Sequence, residues 1–148
     1  MNFEDQCLQA RGSGIKSEFL EVKFLNNSLG VFALKSFQEG EAIEFCHAIV
    51  MEWRNHYVRD PALRMHAFWD GCSCAECERH GVRGMILLGN GSIYNGSKDL
   101  ESANAAVQLH VRHEMAVVYA VKPIAVGEEV TVWFGGAYSQ IWMGGAQR

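Results

Sequence analysis

The sequence predicts a mainly β fold, in which several short strands form small antiparallel sheets together with one or two short helices. Apolar and polar residues alternate over residues 20–24, which is the pattern of a half-buried strand. The same alternation recurs at the odd-numbered positions of residues 43–51. Two further alternating runs, 107–111 and 115–121, are joined by a turn near His113 and are predicted to form a hairpin.

Turn-forming residues separate the predicted strands. Asn26, Asn27 and Ser28 follow the first run and lead into a second strand predicted over residues 30–37. A QEGE turn over residues 38–41 precedes the third strand, and a last strand is predicted over residues 130–134.

One helix is predicted in the middle of the chain. Asp60 suits an N-cap, and Pro61 suits the first turn that follows it. The apolar stripe of this helix would consist of Ala62, Met65, Phe68 and Trp69.

Length and composition indicate one soluble domain. The chain has 148 residues, of which 49% are hydrophobic and 20% charged. Its net charge of −4 argues against a general nucleic-acid binder but is compatible with a Lys/Arg-rich peptide partner. No apolar run is long enough to predict a membrane span, and the acidic start MNFEDQ is not a signal peptide. Five cysteines without a secretion signal indicate a reducing environment, so an intracellular location is expected.

Two glycine-rich segments carry the strongest functional information. Residues 89–97 read GNGSIYNGS, and residues 127–135 read GEEVTVWFG. Each combines a tight Gly- or Asn-containing turn with a short β-type run. Such backbone suits close approach by a small ligand better than it suits the filling of a core.

A cysteine-rich run in the middle of the chain is a candidate metal site. Cys72, Cys74, Cys77 and His80 form a C-x-C-x-x-C-x-x-H pattern, and thiolate and imidazole are the ligands that zinc prefers. The spacing is tighter than in ordinary zinc fingers. If one site does not reach all four side chains, His66, His47 or Cys46 is the alternative to His80. A surface loop with reduced thiols is an equally good interpretation.

Several landmarks occur in the order typical of one family. A GVFA strand (30–33) is followed by an EGE turn (39–41), Tyr94-Asn95, Asn104-Ala105, the hairpin and the GEE turn (127–129). In this order the chain resembles the SET-domain methyltransferases, most closely the compact viral and bacterial type. The resemblance implies a SET-like β-clip fold with a C-terminal pseudoknot. It implies a domain over residues 18–143 with a Cys-rich insertion at 71–84, a flexible lead-in over 1–17 and a tail over 144–148.

The resemblance also implies a binding site for S-adenosylmethionine. The family's Gly-x-Gly motif stands here as Ser28-Leu29-Gly30, and its Asn-His-Ser motif stands as Asn95-Gly96-Ser97. In the family the Asn side chain holds the amino-acid end of the cofactor, and main-chain groups at the next position read the adenine. The cofactor-binding residues implied here are Leu29, Gly30, Asn95, Gly96 and Trp142, with Trp142 covering the adenine. A serine in place of the first glycine would cost about 1 kcal/mol if that position required a positive φ.

Phe134 occupies the position of the family's catalytic tyrosine, whose hydroxyl lies near the transferring methyl group. Tyr138, four residues further on, is the best remaining hydroxyl, and Tyr94 is a candidate wall of the lysine channel. The implied function is methyl transfer from S-adenosylmethionine to a lysine of a protein or peptide, weakened by the loss of the hydroxyl. A catalytically inactive module that binds peptide or cofactor is the alternative, and a zinc-bearing interaction domain is a third. Membrane and nucleic-acid partners are not expected, and a homodimer is left open.

Overall fold

The computed structural model describes residues 2–11, 18–53, 66–69, 75, 79 and 83–133. Within these residues one α-helix, α1 (Phe3–Ala10), precedes nine strands. The first five strands are β1 (Leu20–Leu25), β2 (Ser28–Ala33), β3 (Ala42–Trp53), β4 (Ala67–Trp69) and β5 (Arg83–Leu87). The last four are β6 (Asn95–Gly96), β7 (Ala105–His110), β8 (Met115–Ala120) and β9 (Thr131–Trp133). The predicted mainly β class is therefore confirmed.

Strands β1 and β2 form a two-stranded antiparallel sheet closed by a two-residue loop. Their register ends with Leu25 opposite Ser28, so Asn26 and Asn27 make the turn. Both have a positive φ, 53° and 62°, which asparagine tolerates better than most residues. Ser28 is not among the residues with a positive φ, so the expected strain at this position does not arise.

The other seven strands form one sheet in the order β4-β5-β3-β8-β7-β9-β6. The predicted hairpin is confirmed as β7 and β8, which are joined by a 3-10 turn over Val111–His113. Neighbouring strands are antiparallel except at one end, where β9 runs parallel to both β7 and β6. This parallel insertion places the Asn-Gly segment of β6 directly beside the segment that follows the GEE turn.

Strand β3 is covered on both faces only near its start, and Ile49, further along the predicted apolar side, is 56% exposed. Glu44 and Cys46 are almost completely buried, whereas Ile43 and Phe45, on the predicted apolar side, are only partly buried. Helix α1 covers the face of β3 that carries Phe45, because its Cys7 packs with Phe45 and with residues of β8.

Helix α1 differs from the flexible lead-in expected over residues 1–17. Its N-cap is Asn2, whose side chain accepts a hydrogen bond from the Asp5 N–H at 2.9 Å. Cys7 is completely buried, and burial raises the pKa of its thiol to about 11. Packing against the sheet thus stabilises a helix too short to form alone in water.

Two features around the Cys-rich segment also differ from prediction. Residues 67–69, expected at the end of a helix, form strand β4, because β5 pairs with them in antiparallel register. Arg83 and Gly84, assigned to the Cys-rich insertion over 71–84, belong to β5. The predicted helix start at Asp60 and Pro61 lies outside the described residues. Across the described part of the chain, no helix is long and apolar enough to cross a membrane.

Candidate functional site

Three segments that are distant in sequence meet at the side chain of Asn95. Its Nδ2 donates to the Leu29 carbonyl oxygen of β2 at 2.9 Å. The same atom donates at 2.7 Å to Oε1 of Glu129, the last residue of the GEE turn. Asn95 and Leu29, both predicted to bind cofactor, are therefore in direct contact.

Gly30 lies at the closest approach between these segments. A Cβ atom added to Gly30 would lie 2.6 Å from Glu129 Oε1, so any side chain here would displace the carboxylate from this position. The approach follows from backbone pairing, since the Val130 N–H donates to the Val31 carbonyl at 2.8 Å. Gly30 and the carboxylate of Glu129 therefore form one surface with Asn95.

Glu129 is a residue of this site that no sequence motif singles out. The GEE turn marked the region, but nothing in the local pattern separates the two carboxylates. The structure does separate them. Glu128 is exposed, and its Oε2 accepts from the Ala125 N–H of its own turn at 2.8 Å, whereas Glu129 is half-buried against Gly30 and Asn95.

Asn104 holds the segment that carries Glu129 in place. It is 6% exposed, and its Nδ2 donates to the Glu129 carbonyl oxygen at 2.8 Å. Its Oδ1 accepts from the Thr131 N–H at 2.9 Å, so the carboxamide acts like a paired strand residue. Asn104 was used only as a family landmark, and its buried amide is a positioning element of this site.

Gly96 continues the same arrangement. It lies opposite Val132 in the parallel pairing of β6 with β9, and the next residue, Ser97, donates its N–H to the Val132 carbonyl at 2.9 Å. The second motif is thus fixed to β9 through its main chain, without a side chain at position 96.

The side chain of Tyr94 has a different set of partners from that of Asn95. Tyr94 is 1% exposed, and its hydroxyl donates to Glu44 Oε1 at 2.6 Å. The other oxygen of Glu44 accepts from the Asn90 N–H at 3.0 Å. Burial, and then the negative charge of Glu44, raise the pKa of Tyr94 well above its ordinary value. This phenol is held in its neutral form, and its role at a lysine channel stays a prediction.

The remaining predicted site residues lie outside the described part of the chain. These are Phe134, Tyr138, Trp142, Cys72, Cys74, Cys77 and His80. The three alternative ligands are described and have other surroundings. His47 Nε2 is 2.8 Å from the Arg11 carbonyl oxygen, His66 Nδ1 is 2.6 Å from that of Ser92, and Cys46 is buried in the core. Among the described residues, no three His, Cys, Asp or Glu side chains come together as a metal site.

The groups around Gly30 are chemically suited to a cationic amino group. The carbonyl of Leu29 and the carboxylate of Glu129 both accept hydrogen bonds, and an ionised acceptor makes the stronger bond. Glycine at position 30 lets the carboxylate of Glu129 approach the backbone closely. These residues fit the amino-acid end of S-adenosylmethionine, which carries an ammonium group.

Comparison with known proteins gives one family and several similar folds. A family model described as the SET domain matches residues 28–135, which is more than half of the chain. None of the curated proteins matches the sequence.

Solved structures share the fold at low sequence identity. A Plasmodium falciparum protein, provisionally assigned as a histone methyltransferase, is 22% identical with a TM-score of 0.61, covering 81% of this chain and 96% of that one. The methyltransferase domain of human PR domain-containing protein 2 is 16% identical with a TM-score of 0.54, and the shares are 86% and 84%. ATXR5, in complex with histone H3.1 mono-methylated on R26, is 17% identical with a TM-score of 0.65, and the shares are 92% and 67%. The SET-like fold class is therefore confirmed, while the predicted C-terminal pseudoknot involves residues after Trp133 that lie outside the described ones and stays a prediction.

Proposed function

We propose that this chain, which belongs to the SET-domain family, transfers a methyl group from S-adenosylmethionine to a lysine side chain of a protein or peptide. The observation that carries the proposal is the meeting of Leu29, Asn95 and Glu129 beside Gly30. Two of the family's cofactor motifs, distant in sequence, are thereby joined through one carboxamide. A simple surface turn would not require that contact.

The residues of the site have distinct proposed roles. When bound, the cofactor supplies a methyl group on a positively charged sulfonium. The Leu29 carbonyl and the Asn95 side chain hold its amino-acid end, and the main chain at Gly96 reads its adenine. Trp142 covers the adenine ring. Fixing of Gly96 and Ser97 to β9 supports this assignment, because a rigid main chain loses little entropy when it binds a ligand.

The proposed acceptor is a lysine in a basic protein segment. The net charge of −4 favours encounter with a Lys/Arg-rich peptide. One neighbour of similar fold is known in complex with a histone, which supports a protein substrate for this chain. The lysine must arrive as the neutral amine, and we assign Tyr138 and Tyr94 to the channel that admits it.

A catalytically inactive binding module is the competing proposal. It is favoured by Phe134 in the position of the family tyrosine and by Gly96 in the position of the family histidine. Both proposals require the same cofactor or peptide surface. They differ only in whether a methyl group is transferred.

Calorimetry with S-adenosylmethionine tests the shared part of the two proposals. Asn95→Ala leaves the Leu29 carbonyl and Glu129 without their common donor, and the affinity should fall by about 1–3 kcal/mol. Asn27→Gly is the matched control, because it removes an exposed asparagine of the β1–β2 loop while keeping a residue that tolerates positive φ. Unchanged affinity in Asn95→Ala would place the cofactor elsewhere.

A methyl-transfer assay then separates the enzyme from the binding module. The purified chain is incubated with labelled cofactor and a mixture of lysine-containing peptides, and methylated lysine is detected by mass spectrometry. Transfer that requires Asn95 supports the enzyme. Cofactor or peptide binding with no transfer at any pH would support the module.

A further inference from the structure

Glu129 is the charged group of the site to which the family motifs give no role. Its side chain is half-buried and accepts a hydrogen bond from Asn95. Its Oε1 lies beside Gly30, 2.6 Å from where a Cβ atom would stand. We infer that Glu129 recognises the α-ammonium group of the cofactor and thereby restricts the site to ligands that carry a free amino group. The inference rests on the proposed function and assigns a specificity-determining residue within that site.

The placement of the carboxylate supports this role. It lies beside the one amide that also contacts Leu29, at the end of the site assigned to the amino acid of the cofactor. The Leu29 carbonyl supplies a second acceptor within reach of the same amide. A carboxylate and a carbonyl on one small surface are complementary to an ammonium group, which donates several hydrogen bonds and accepts none.

Backbone pairing fixes the main chain that carries the carboxylate. Val130 donates to Val31, and Ala33 donates to the carbonyl of Glu128 at 2.9 Å, so position 129 is held between two hydrogen-bonded neighbours. The carboxamide of Asn104 binds the Glu129 carbonyl from the other side. A charge preorganised in this way needs little rearrangement to meet its ligand.

A substitution can distinguish two roles of Glu129: accepting a structural hydrogen bond from Asn95, and recognising the ligand through its negative charge. Glu129→Gln keeps an oxygen that can accept from Asn95 Nδ2 but removes the negative charge. If Glu129 only positions Asn95, the Gln variant should bind the cofactor almost normally. If the charge recognises the ammonium group, the affinity should fall about 10-fold or more, as expected for a lost charge-assisted hydrogen bond.

The experiment measures dissociation constants by calorimetry for three ligands. These are S-adenosylmethionine, S-adenosylhomocysteine and the analogue of S-adenosylhomocysteine that lacks its α-amino group. We expect Glu129→Gln to weaken the first two by about the same factor, since both carry the ammonium group. The des-amino analogue should bind wild type and Glu129→Gln equally.

Glu128→Gln is the matched control, because it makes the same charge change one residue away and keeps an oxygen that can accept from Asn104 Nδ2 or from the Ala125 N–H, the partners of Glu128. It should leave all three affinities within about 2-fold of wild type. Glu129→Asp is the second variant, and it tests the inference even if the Gln variant does not fold. Its loss of affinity should again be confined to the two amino-bearing ligands.

The outcomes distinguish the inference from the proposed function. If wild type binds none of the three ligands, both fail. If wild type binds and the Glu129 variants lose affinity equally for the des-amino analogue, or lose none, the proposed function survives and the inference is overturned. A loss for S-adenosylmethionine alone would also overturn it, since the carboxylate would then be reading the sulfonium.

Discussion

The hydroxyl of Tyr94 donates to the carboxylate of Glu44 across 2.6 Å in the core of the molecule. This bond joins the residue before Asn95 to the central strand β3. A second bond from the Asn90 N–H to the same carboxylate holds the preceding turn. The buried carboxylate therefore fixes the start of the segment that carries the cofactor motif.

Tyr94→Phe should destabilise the fold by about 1–3 kcal/mol, because it leaves a buried carboxylate without one of its donors. Urea unfolding followed by tryptophan fluorescence measures the change. Tyr119→Phe is the control, since the ring contact of Tyr119 with Phe3 survives the substitution. Equal stability of the two variants would show that the bond to Glu44 contributes nothing.

The second prediction concerns His110 and pH. Burial lowers the pKa of His110 below its ordinary value of 6.5, the charge of Glu4 opposes this shift, and His113 adds to it. The Nε2 of His110 is buried and, among the described residues, lacks a hydrogen-bond partner. A lowered pKa in the folded state means that its contribution to stability is complete above about pH 6.5 and is lost as the pH falls through the lowered value.

Melting temperature measured between pH 7.5 and pH 5 should therefore decline more steeply for wild type than for His110→Gln. Parallel curves for wild type and His110→Gln would contradict the assignment. The window closes at about pH 5, because carboxylates such as Glu4, whose pKa His113 lowers, begin to titrate below it.

The third prediction is that Cys72, Cys74 and Cys77 share one zinc ion with His80. The other two cysteines should not interfere, because Cys7 and Cys46 are buried and burial raises the pKa of both thiols. Metal analysis of protein purified without chelator should give about one zinc per chain, and chelation should lower the melting temperature. Cys74→Ser should remove the metal, whereas Cys46→Ala should retain it. A metal content near zero would support the reduced surface loop instead.

Local alternation was sufficient to predict β1, β3 and the hairpin of β7 and β8, because each has period-2 patterning that one sequence window contains. Strand β4 could not be predicted in this way. Its three residues become a strand only because β5, distant in sequence, pairs with them. Helix α1 is short and only half of its residues are apolar, so its stability depends on the contact of Cys7 with β8 rather than on helix propensity.

The residues of the candidate site also fall into those that a local motif predicts and those that only long-range pairing reveals. Asn95 and Leu29 could be named from family motifs that each lie in one short segment. The assignment of Glu129 rather than Glu128 could not be made, because it depends on which of the two faces Gly30 when β2 pairs with residues 127–130. That pairing is a long-range property of the fold, and no local pattern carries it.

The last prediction concerns Phe134. If the fold still aligns a lysine with the sulfonium, the missing hydroxyl is the main chemical defect of the site. Positioning alone can supply much of a rate enhancement, about 7–11 kcal/mol at its upper end. A positioned proton-handling group typically adds a further factor of about 10²–10⁴. Phe134→Tyr should then raise the rate of methyl transfer by about 10-fold or more.

Cofactor affinity should hardly change in this variant, because the hydroxyl acts in the transition state rather than in ground-state binding. The activity of the unmodified chain should rise steeply with pH, since a free lysine with a pKa of about 10.4 is mostly protonated near neutrality. Tyr138→Phe in the Phe134 background should abolish the remaining activity if Tyr138 has taken over the role. If Phe134→Tyr stays inactive on every lysine peptide while the protein still binds cofactor or peptide, the chain functions as the inactive binding module.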